Sequence, residues 1–263
     1  MKRVFIYTVA ILFFNLFGYA QDIKQAKEAI DAEQYEKAKN ILETITASKP
    51  SDGYAKFLLG NVSLLTGDQE TAKKHFDAGI AFSSKGNFNY IGLGNIALNK
   101  NDKAEAEKNF ALAIKNIGKK DLEEKIFIGK AYTFSENPDY QKAIEILMKS
   151  REIAPANTDV LLALGDAYKL NKKQNEAYEC YREAFRLDNT LLRAKMGLGT
   201  LIKNAHNFPS ALTSFDEVIA LNPNYGPVYR ELAETEYLWA LNDARKYDEH
   251  ISKGLAFYEK YMS

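Results

Sequence analysis

The chain has 263 residues, 46% of them apolar, and its 35 basic residues are balanced by 35 acidic ones. A formal net charge of zero excludes a sequence-wide attraction to nucleic acid or anionic lipid, so we expect no nucleic-acid partner. The 6 prolines argue against long disordered linkers.

The first twenty residues have the pattern of a secretory signal. Lys2 and Arg3 precede a largely apolar run from Val4 to Phe17, and Gly18 and Ala20 supply the small residues that signal peptidase requires. The run is shorter than a usual membrane span. We therefore predict cleavage after Ala20, a periplasmic or secreted protein, and no stable membrane span afterwards. Retention of the segment as an uncleaved anchor is the alternative.

The chain has one cysteine, Cys180, in the middle of a predicted helix. A single cysteine cannot form an intramolecular disulfide, so packing must hold the fold. The mature chain is expected to begin at Gln21, which leaves no N-terminal cysteine for a lipid anchor, and we predict that the protein is not a lipoprotein. Cys180 is interpreted as a small residue of a helix and not as a nucleophile.

From Gln21 onwards, pairs of amphipathic helical patterns alternate with polar turns. A small residue recurs in each second helix at intervals of 34, 34, 37, 34 and 34, namely Ala38, Ala72, Ala106, Ala143, Ala177 and Ala211. Another recurs in the first helices, namely Gly60, Gly94, Gly129, Gly165, Gly199 and Ala233. Four residues after each second-helix alanine comes a large apolar residue, namely Leu42, Phe76, Phe110, Leu147, Tyr181 and Phe215. One hairpin cannot bury its own apolar faces, so the pattern predicts a stack of hairpins.

The pattern L-G-x-x-Y, then A-x-x-x-F-x-x-A and a proline, on a 34-residue period, resembles the tetratricopeptide repeat. The closest copy has LGDAY at Leu164–Tyr168, followed by Ala177, Tyr181 and Ala184. The resemblance covers Ile23 to at least Pro223. It implies an all-α fold, a right-handed superhelical solenoid of stacked antiparallel helix hairpins. The predicted units are 22–52, 53–86, 87–120, 121–156, 157–190, 191–224 and 225–263.

Two units depart from the period. The unit at 121–156 carries two extra residues around Ser135 to Pro138, which predicts a longer turn between its helices. The last unit carries nine extra residues between Leu238 and Glu249, which either lengthen a helix or form a polar elbow near Asn242. Its final segment, Gly254–Met262, stays apolar to the end, whereas solenoid ends normally need a solvated cap. This helix either docks on a partner or belongs to the front part of a longer protein, which is the favoured interpretation.

No catalytic constellation stands out in the sequence. His75, His206 and His250 lie in different units without metal-ligand spacing. The pairs Gly92–Gly94 and Gly197–Gly199 lack the preceding strand of a phosphate-binding loop and are interpreted as helix-packing glycines. We therefore predict no enzymatic activity, no cofactor and no metal site.

Function must then come from a surface. In the family that the chain resembles, the first helices line a concave groove that holds an extended or helical peptide. The residue after each close-packed small residue is expected to face this groove, which selects Asn61, Asn95, Lys130, Asp166, Thr200 and Glu234. Residues one turn away add Tyr54, Phe57, Phe88, Ile91, Lys169 and Lys203.

Asn61 and Asn95 resemble the family's peptide-holding asparagines, because an amide side chain can both donate to and accept from a peptide backbone. The alternative is that they are ordinary polar lining on a solvated face. Phe57 stands where the family's carboxylate clamp has a lysine, so a binder of chain-terminal carboxylates is not expected.

These features predict an exported, non-enzymatic scaffold that binds a protein or peptide partner in the groove, within an envelope assembly or secretion complex. Two alternatives remain open. One is a solenoid that binds a glycan or small ligand, and the other is an N-terminal interaction module of a longer protein whose activity lies beyond Ser263.

Overall fold

The computed structural model of the chain describes residues 20–82, 87–115, 117–118 and 121–262. Within these residues the backbone forms α-helices joined by short turns, with one 3-10 turn and no strand. The predicted signal segment lies outside the described residues, apart from Ala20.

The described helices follow one another in pairs. In chain order they are α1 (residues 20–31), α2 (Tyr35–Ser48), α3 (Gly53–Leu65), α4 (Gln69–Phe82), α5 (Asn87–Asn99), α6 (Lys103–Ile114), α7 (Glu123–Phe134), α8 (Tyr140–Ile153), α9 (Thr158–Leu170), α10 (Gln174–Leu187), α11 (Leu192–Asn204), α12 (Phe208–Leu221), α13 (Gly226–Asn242) and α14 (Tyr247–Met262). Odd-numbered helices are the first helices of the hairpins and even-numbered helices are the second.

Turn chemistry fixes where the two helices of a hairpin separate. Among the described residues, five turn positions have a left-handed backbone with φ between 57° and 85°, namely Glu33, Gly67, Asn101, Lys172 and His206. They recur at the repeat period in five hairpins, whereas the hairpins of α7 with α8 and of α13 with α14 have no such residue. A single left-handed residue reverses the chain within a few residues, so the same tight turn serves each of these hairpins.

Caps and prolines define the helix ends. The side chains of Asp52, Asp139 and Asn157 accept hydrogen bonds from backbone N–H groups in the first turns of α3, α8 and α9. Second helices α2, α8 and α12 end two residues before Pro50, Pro155 and Pro223. The residue before a proline avoids the helical conformation, and the helix therefore ends there.

The chain divides into two compact units. Unit 1 contains the described part of Met1–Ala97 together with Lys103–Lys115, and unit 2 contains Leu98–Asp102 together with the described part of Asn116–Ser263. The core of unit 1 includes Ala38, Leu42 and Phe76, all fully buried. The core of unit 2 is centred on Leu161, Ala177 and Tyr181.

The longer turn between α7 and α8 is docked by hydrogen bonds. Asn137 Nδ2 donates to the carbonyls of Leu98 and Asn99, both at 3.1 Å, and the Glu136 N–H donates to Asn99 Oδ1 at 3.0 Å. These bonds satisfy carbonyls at the end of α5 that have no partner within the helix. The two extra residues therefore extend the turn without interrupting either helix.

The nine extra residues of the last hairpin both lengthen a helix and form an elbow, the two possibilities that the sequence left open. Helix α13 has 17 residues, compared with 13 in α9 and α11, and the 3-10 turn Ala244–Lys246 forms the elbow before α14. Asp243 caps this turn by accepting a hydrogen bond from the Arg245 N–H. Gly254 of α14 is buried against α13, where an added Cβ would lie 3.3 Å from the Ala233 carbonyl oxygen.

Candidate functional site on the first helices

Glycines in the first helices set how closely neighbouring helices approach. A Cβ atom added at Gly165 would lie 2.5 Å from Cε1 of Tyr181, and one added at Gly197 would lie 2.9 Å from the same ring. A Cβ atom added at Gly92 would lie 2.3 Å from Cε1 of Phe76. A close-packed interior cannot accommodate an atom at these distances without a shift. The glycine pairs singled out in the sequence are therefore helix-packing positions.

Three aromatic rings form a cluster at the starts of α3 and α5 in unit 1, called here the aromatic cluster: Tyr54, Phe57 and Phe88. The Tyr54 and Phe88 ring centroids are 4.8 Å apart in a T-shaped arrangement, and Phe57 is 5.3 Å from Phe88. Phe57 is 1% exposed, whereas Tyr54 and Phe88 are half-buried. Phe57 therefore forms the floor of the cluster, and the other two rings keep surface available for an apolar contact.

The two predicted asparagines lie further along the same helices. Asn61 of α3 and Asn95 of α5 are half-buried, and Ile91 beside them belongs to the buried core. The Oδ1 atom of Asn95 is buried and has no hydrogen-bond partner among the described residues. A buried carbonyl without a partner carries an unrecovered desolvation cost, which a donor from a ligand would remove.

A third asparagine, Asn89, was not selected from the sequence. It is fully buried, and its Nδ2 donates to the Gly53 carbonyl at 2.8 Å, which ties α5 to the start of α3. A Cβ added at Gly79 would lie 2.2 Å from Asn89 Oδ1. The sequence feature that could have identified Asn89 is Gly79, because the other second helices carry a larger residue at the corresponding position.

In unit 2, both carboxylate oxygens of Asp166 already have partners within the chain. Its Oδ1 accepts a hydrogen bond from the Tyr181 hydroxyl at 2.7 Å, and its Oδ2 pairs with Arg193 at 2.6 Å. Burial, and then the neighbouring Asp166 carboxylate, raise the pKa of Tyr181 well above its ordinary value. Asp166 thus joins α9, α10 and α11, and its carboxylate is not open to a partner.

A buried charge network joins α11 to α13. Lys203 is 4% exposed, and its ammonium lies 2.8 Å from Glu231 and 2.6 Å from Glu234. The Thr200 hydroxyl donates to Glu231 at 2.9 Å. Burial alone would raise the pKa of Glu231, but Lys203 and Thr200 outweigh it and lower that pKa. Burial would lower the pKa of Lys203, but Glu231 and Glu234 raise it.

The other predicted positions of unit 2 are more open. Lys130 is half-buried and lies over the Phe127 ring at 5.5 Å. Lys169 is half-buried, and its charge contributes to the lowered pKa of Glu231. The Glu234 side chain is 50% exposed although it pairs with Lys203.

The structure therefore separates the predicted residues into two groups. In unit 1 it brings Tyr54, Phe57 and Phe88 together, and it gives the Asn95 amide oxygen no hydrogen-bond partner within the described part of the chain. In unit 2 it commits Asp166 and Lys203 to contacts between helices. That a partner binds at these residues remains a prediction, and unit 1 is the better candidate for it.

The sequence analysis also did not predict an aromatic stack in the last hairpin. The rings of Trp239 and His250 are stacked at 4.3 Å, and His250 Nδ1 lies 2.5 Å from Glu236 Oε2. Both members of the His250–Glu236 pair are buried. The stack fastens α14 to α13, which agrees with a structural role for His250.

Two further features concern metal binding and membranes. The described residues contain no group of three or more side chains that could hold a metal ion. In the same part of the chain, no helix combines the length and the apolar character that crossing a membrane requires.

Comparison with known proteins identifies the repeat. Models described as tetratricopeptide repeat match residues 23–87 and residues 158–191. The BBSome complex member BBS4 homolog of Drosophila melanogaster is 24% identical over 144 residues, which cover 52% of this chain and 29% of that protein. The chain thus spans less than a third of the length of this curated relative.

Two solved structures share the fold at low identity. The human IFIT1 dimer with PPP-AAAA superposes with a TM-score of 0.60 and 17% identity, over 88% of this chain and 55% of that one. The Cut9–Hcn1 hetero-tetramer of APC/C gives a TM-score of 0.54 and 15% identity, over 88% of this chain and 45% of that one. Tetratricopeptide-repeat models thus match two stretches of the chain, and the predicted all-α class of stacked helix hairpins is confirmed.

Proposed function

We propose that this chain is a non-enzymatic interaction scaffold that binds a peptide or protein segment on the first helices of unit 1. The observation that carries the proposal is the Asn95 amide oxygen, which is buried and has no partner among the described residues. A peptide N–H is the donor that this atom lacks, and the Asn95 amide N–H group can donate to a peptide carbonyl in return.

The aromatic cluster gives the partner a second point of contact. Tyr54 and Phe88 stand near the starts of α3 and α5, and Asn61 and Asn95 follow on the same two helices. A segment that places an apolar side chain on Tyr54 and Phe88 could also pass its backbone along the asparagines. Aromatic anchors beside polar groups are typical of the residues that dominate binding energy.

The low-identity relatives support a role in assemblies. One is described as a member of the BBSome complex and another was solved as the Cut9–Hcn1 hetero-tetramer. We propose that this chain also works inside a larger assembly, located in the cell envelope. Its sequence up to Ala20 supports export, and the mass of the N-terminal peptide from an envelope fraction would test it, because cleavage predicts a mature chain beginning at Gln21.

The test of the binding site is the double variant Asn61→Ala with Asn95→Ala. Loss of two amide contacts should weaken partner binding by about tenfold or more. The free energy of unfolding should stay the same or rise slightly, because Asn95→Ala removes a buried acceptor for which the described residues supply no donor. Partners would first be identified by crosslinking in cells and mass spectrometry, and their affinities then compared.

The matched control is Asn40→Ala with Asn175→Ala, which removes two exposed asparagines of second helices and should change neither quantity. Unchanged binding by the Asn61 and Asn95 variant would rule out this site. Recovery of no crosslinked protein would favour a glycan or small ligand instead.

A further inference from the structure

Asn89 stands at a repeat position that packs the first helices against their neighbours. It lies five residues before Gly94, and the residues at the corresponding position of the other first helices from α3 onwards are Ala55, Glu124, Val160, Ala194 and Val228. Four of these five are apolar and fully buried, and Asn89 is fully buried as well. The packing of the repeat therefore does not require an amide at this position.

Gly79 of α4 departs from the repeat at the position that faces Asn89. The corresponding residues of the other second helices from α2 to α12 all carry a Cβ atom, namely Ile45, Ala113, Ser150, Ala184 and Val218. A Cβ atom at Gly79 would overlap with the Oδ1, Cγ and Nδ2 atoms of Asn89, which a close-packed interior cannot accommodate. The glycine therefore provides the space that the asparagine side chain fills, and the two departures form a matched pair.

The amide of Asn89 makes one directed contact and leaves one atom unsatisfied. Its Nδ2 donates to the Gly53 carbonyl at 2.8 Å, whereas its Oδ1 is buried and has no hydrogen-bond partner among the described residues. A buried acceptor without a donor destabilises the folded state, and an alanine at this position would not have one. The hydrogen bond to Gly53 is therefore the contribution of Asn89 that alanine cannot make.

This hydrogen bond lies beside the two half-buried rings of the aromatic cluster. Gly53 immediately precedes Tyr54 in α3, and Asn89 immediately follows Phe88 in α5. The Tyr54 and Phe88 ring centroids are 4.8 Å apart, in a T-shaped arrangement. Aromatic pairs adopt offset-stacked as well as T-shaped arrangements, so attraction between the rings does not select one of them. A hydrogen bond restricts both distance and direction, and the one from Asn89 to Gly53 fixes the start of α5 against the start of α3.

We propose that Asn89 is a positioning residue of the partner-binding surface, and that its hydrogen bond to Gly53 holds the Phe88 ring in its T-shaped contact with Tyr54. Asn89 is fully buried, so it acts through the two rings and does not touch the partner. The inference rests on the function proposed above, because the partner is expected to place an apolar side chain on these rings. Rings in another arrangement would present a differently shaped surface and would bind that side chain less tightly.

The test is the double variant Gly79→Ala with Asn89→Ala. It gives α4 and α5 the residues that α10 and α11 already carry at the same two positions, Ala184 and Ala194, which are both fully buried. The urea midpoint of the double variant should equal or exceed that of the wild type, because the new alanine at position 79 replaces lost volume and the unsatisfied Oδ1 is removed. Gly79→Ala alone should lower the midpoint, because its Cβ atom meets Asn89.

The decisive readout is the nuclear Overhauser contact between the Tyr54 and Phe88 rings, measured on the full chain with labelled aromatic residues. We expect the double variant to lose this contact, because nothing then fixes the start of α5 to Gly53. The Tyr54 and Phe57 rings both belong to α3, with centroids 6.1 Å apart. Their contact should persist and serves as the internal reference for an intact helix.

A peptide probe connects the ring arrangement to binding. It is a short peptide selected from a random display library because it binds the wild-type chain and does not bind the Asn61→Ala with Asn95→Ala variant. Its affinity for the double variant Gly79→Ala with Asn89→Ala should be about tenfold lower than for the wild type. The control variant Asn40→Ala with Asn175→Ala should bind it as the wild type does.

The results separate this inference from the proposed function. Persistence of the contact between Tyr54 and Phe88, or wild-type affinity of the double variant for the selected peptide, would contradict the role of Asn89. Loss of the contact between Tyr54 and Phe57 together with a lower urea midpoint would also contradict it, because the amide would then be required for the fold itself. If no peptide meets the selection, the proposed function fails, whereas the ring contact needs no ligand and still decides whether Asn89 positions the rings.

Discussion

At the scale of single residues, Tyr181 shows how one side chain stabilises two hairpins. Its ring contacts Gly165 and Gly197, and its hydroxyl donates to Asp166 at 2.7 Å. The ring needs glycine on both sides, and the hydroxyl needs an acceptor because an unpaired buried hydroxyl is costly. Tyrosine is therefore accepted at a core position where the other hairpins carry phenylalanine or leucine.

Gly165→Leu should accordingly destabilise unit 2. The new side chain would begin 2.5 Å from the Tyr181 ring, and overpacking of a core costs about 1–3 kcal/mol or more. The measurement is urea unfolding followed by circular dichroism. Ala111→Leu, on an exposed position of α6, is the control and should cost less than about 0.5 kcal/mol. Wild-type stability in Gly165→Leu would show that the assigned repeat register is wrong.

Single-residue patterns predicted packing better than they predicted the use of polar side chains. The glycines and large apolar residues that recur in the sequence are the ones that meet at Tyr181 and Phe76. The same reasoning selected Asp166 and Lys203 as groove residues, although the structure uses both between helices. Their charged partners are 27 or more residues away in the chain. A repeat pattern predicts the direction of a side chain, but it does not predict which charged group that side chain will meet.

At the scale of elements, the network around Lys203 determines how α11 and α13 meet. Lys203 and Glu231 are both almost fully buried, and their charges are 2.8 Å apart. Removing one member leaves the other as an unpaired buried charge, whereas replacing both with apolar residues can be neutral or stabilising. Breaking this pair should therefore change the free energy of unfolding by more than the intact pair contributes to it.

We expect Lys203→Met alone to lower the free energy of unfolding by about 3–5 kcal/mol, because Glu231 loses its partner. The double variant Lys203→Met with Glu231→Leu should recover most of this loss. Urea unfolding of the wild type, both single variants and the double variant forms the required cycle. Equal stability of Lys203→Met and the wild type would show that the two charges are not coupled.

The same pair predicts a dependence on pH. Because the pKa of Glu231 is lowered from 4.5, its stabilising effect is present above pH 4.5 and is lost as the pH falls through the lowered value. Because the pKa of Lys203 is raised from 10.5, its effect is present below pH 10.5 and is lost as the pH rises through the raised value. The double variant should therefore lose less stability than the wild type on acidification below pH 4.5.

The turns show a second limit of sequence reasoning at this scale. The extra residues at Ser135–Pro138 predicted a longer turn, and the structure has one. The left-handed position that five of the described turns share was not apparent from the sequence, because it is occupied by different residue types, namely Glu33, Gly67, Asn101, Lys172 and His206. A backbone conformation held in place by two packed helices does not require one residue type.

At the scale of the whole molecule, the single cysteine is a probe of how the array opens. Cys180 is 1% exposed, and burial raises the pKa of its thiol to about 11, although Arg151 nearby opposes the shift. At pH 8 the thiolate therefore makes up about one thousandth of the Cys180 side chains. Labelling by an aromatic disulfide reagent should therefore require opening of unit 2 and should be far slower in the folded chain than in urea.

In repeat proteins each hairpin contacts only its neighbours, so stability is nearly a sum of local terms. Gly165→Leu should then accelerate labelling of Cys180 by roughly thirtyfold, if it costs about 2 kcal/mol. The matched variant Gly60→Leu, which places a leucine against Phe76 in unit 1, should leave the labelling rate within about twofold. Equal acceleration by both variants would mean that the two units unfold as one cooperative body. Acceleration by Gly165→Leu alone would mean that a partner bound to unit 1 can remain in place while unit 2 opens.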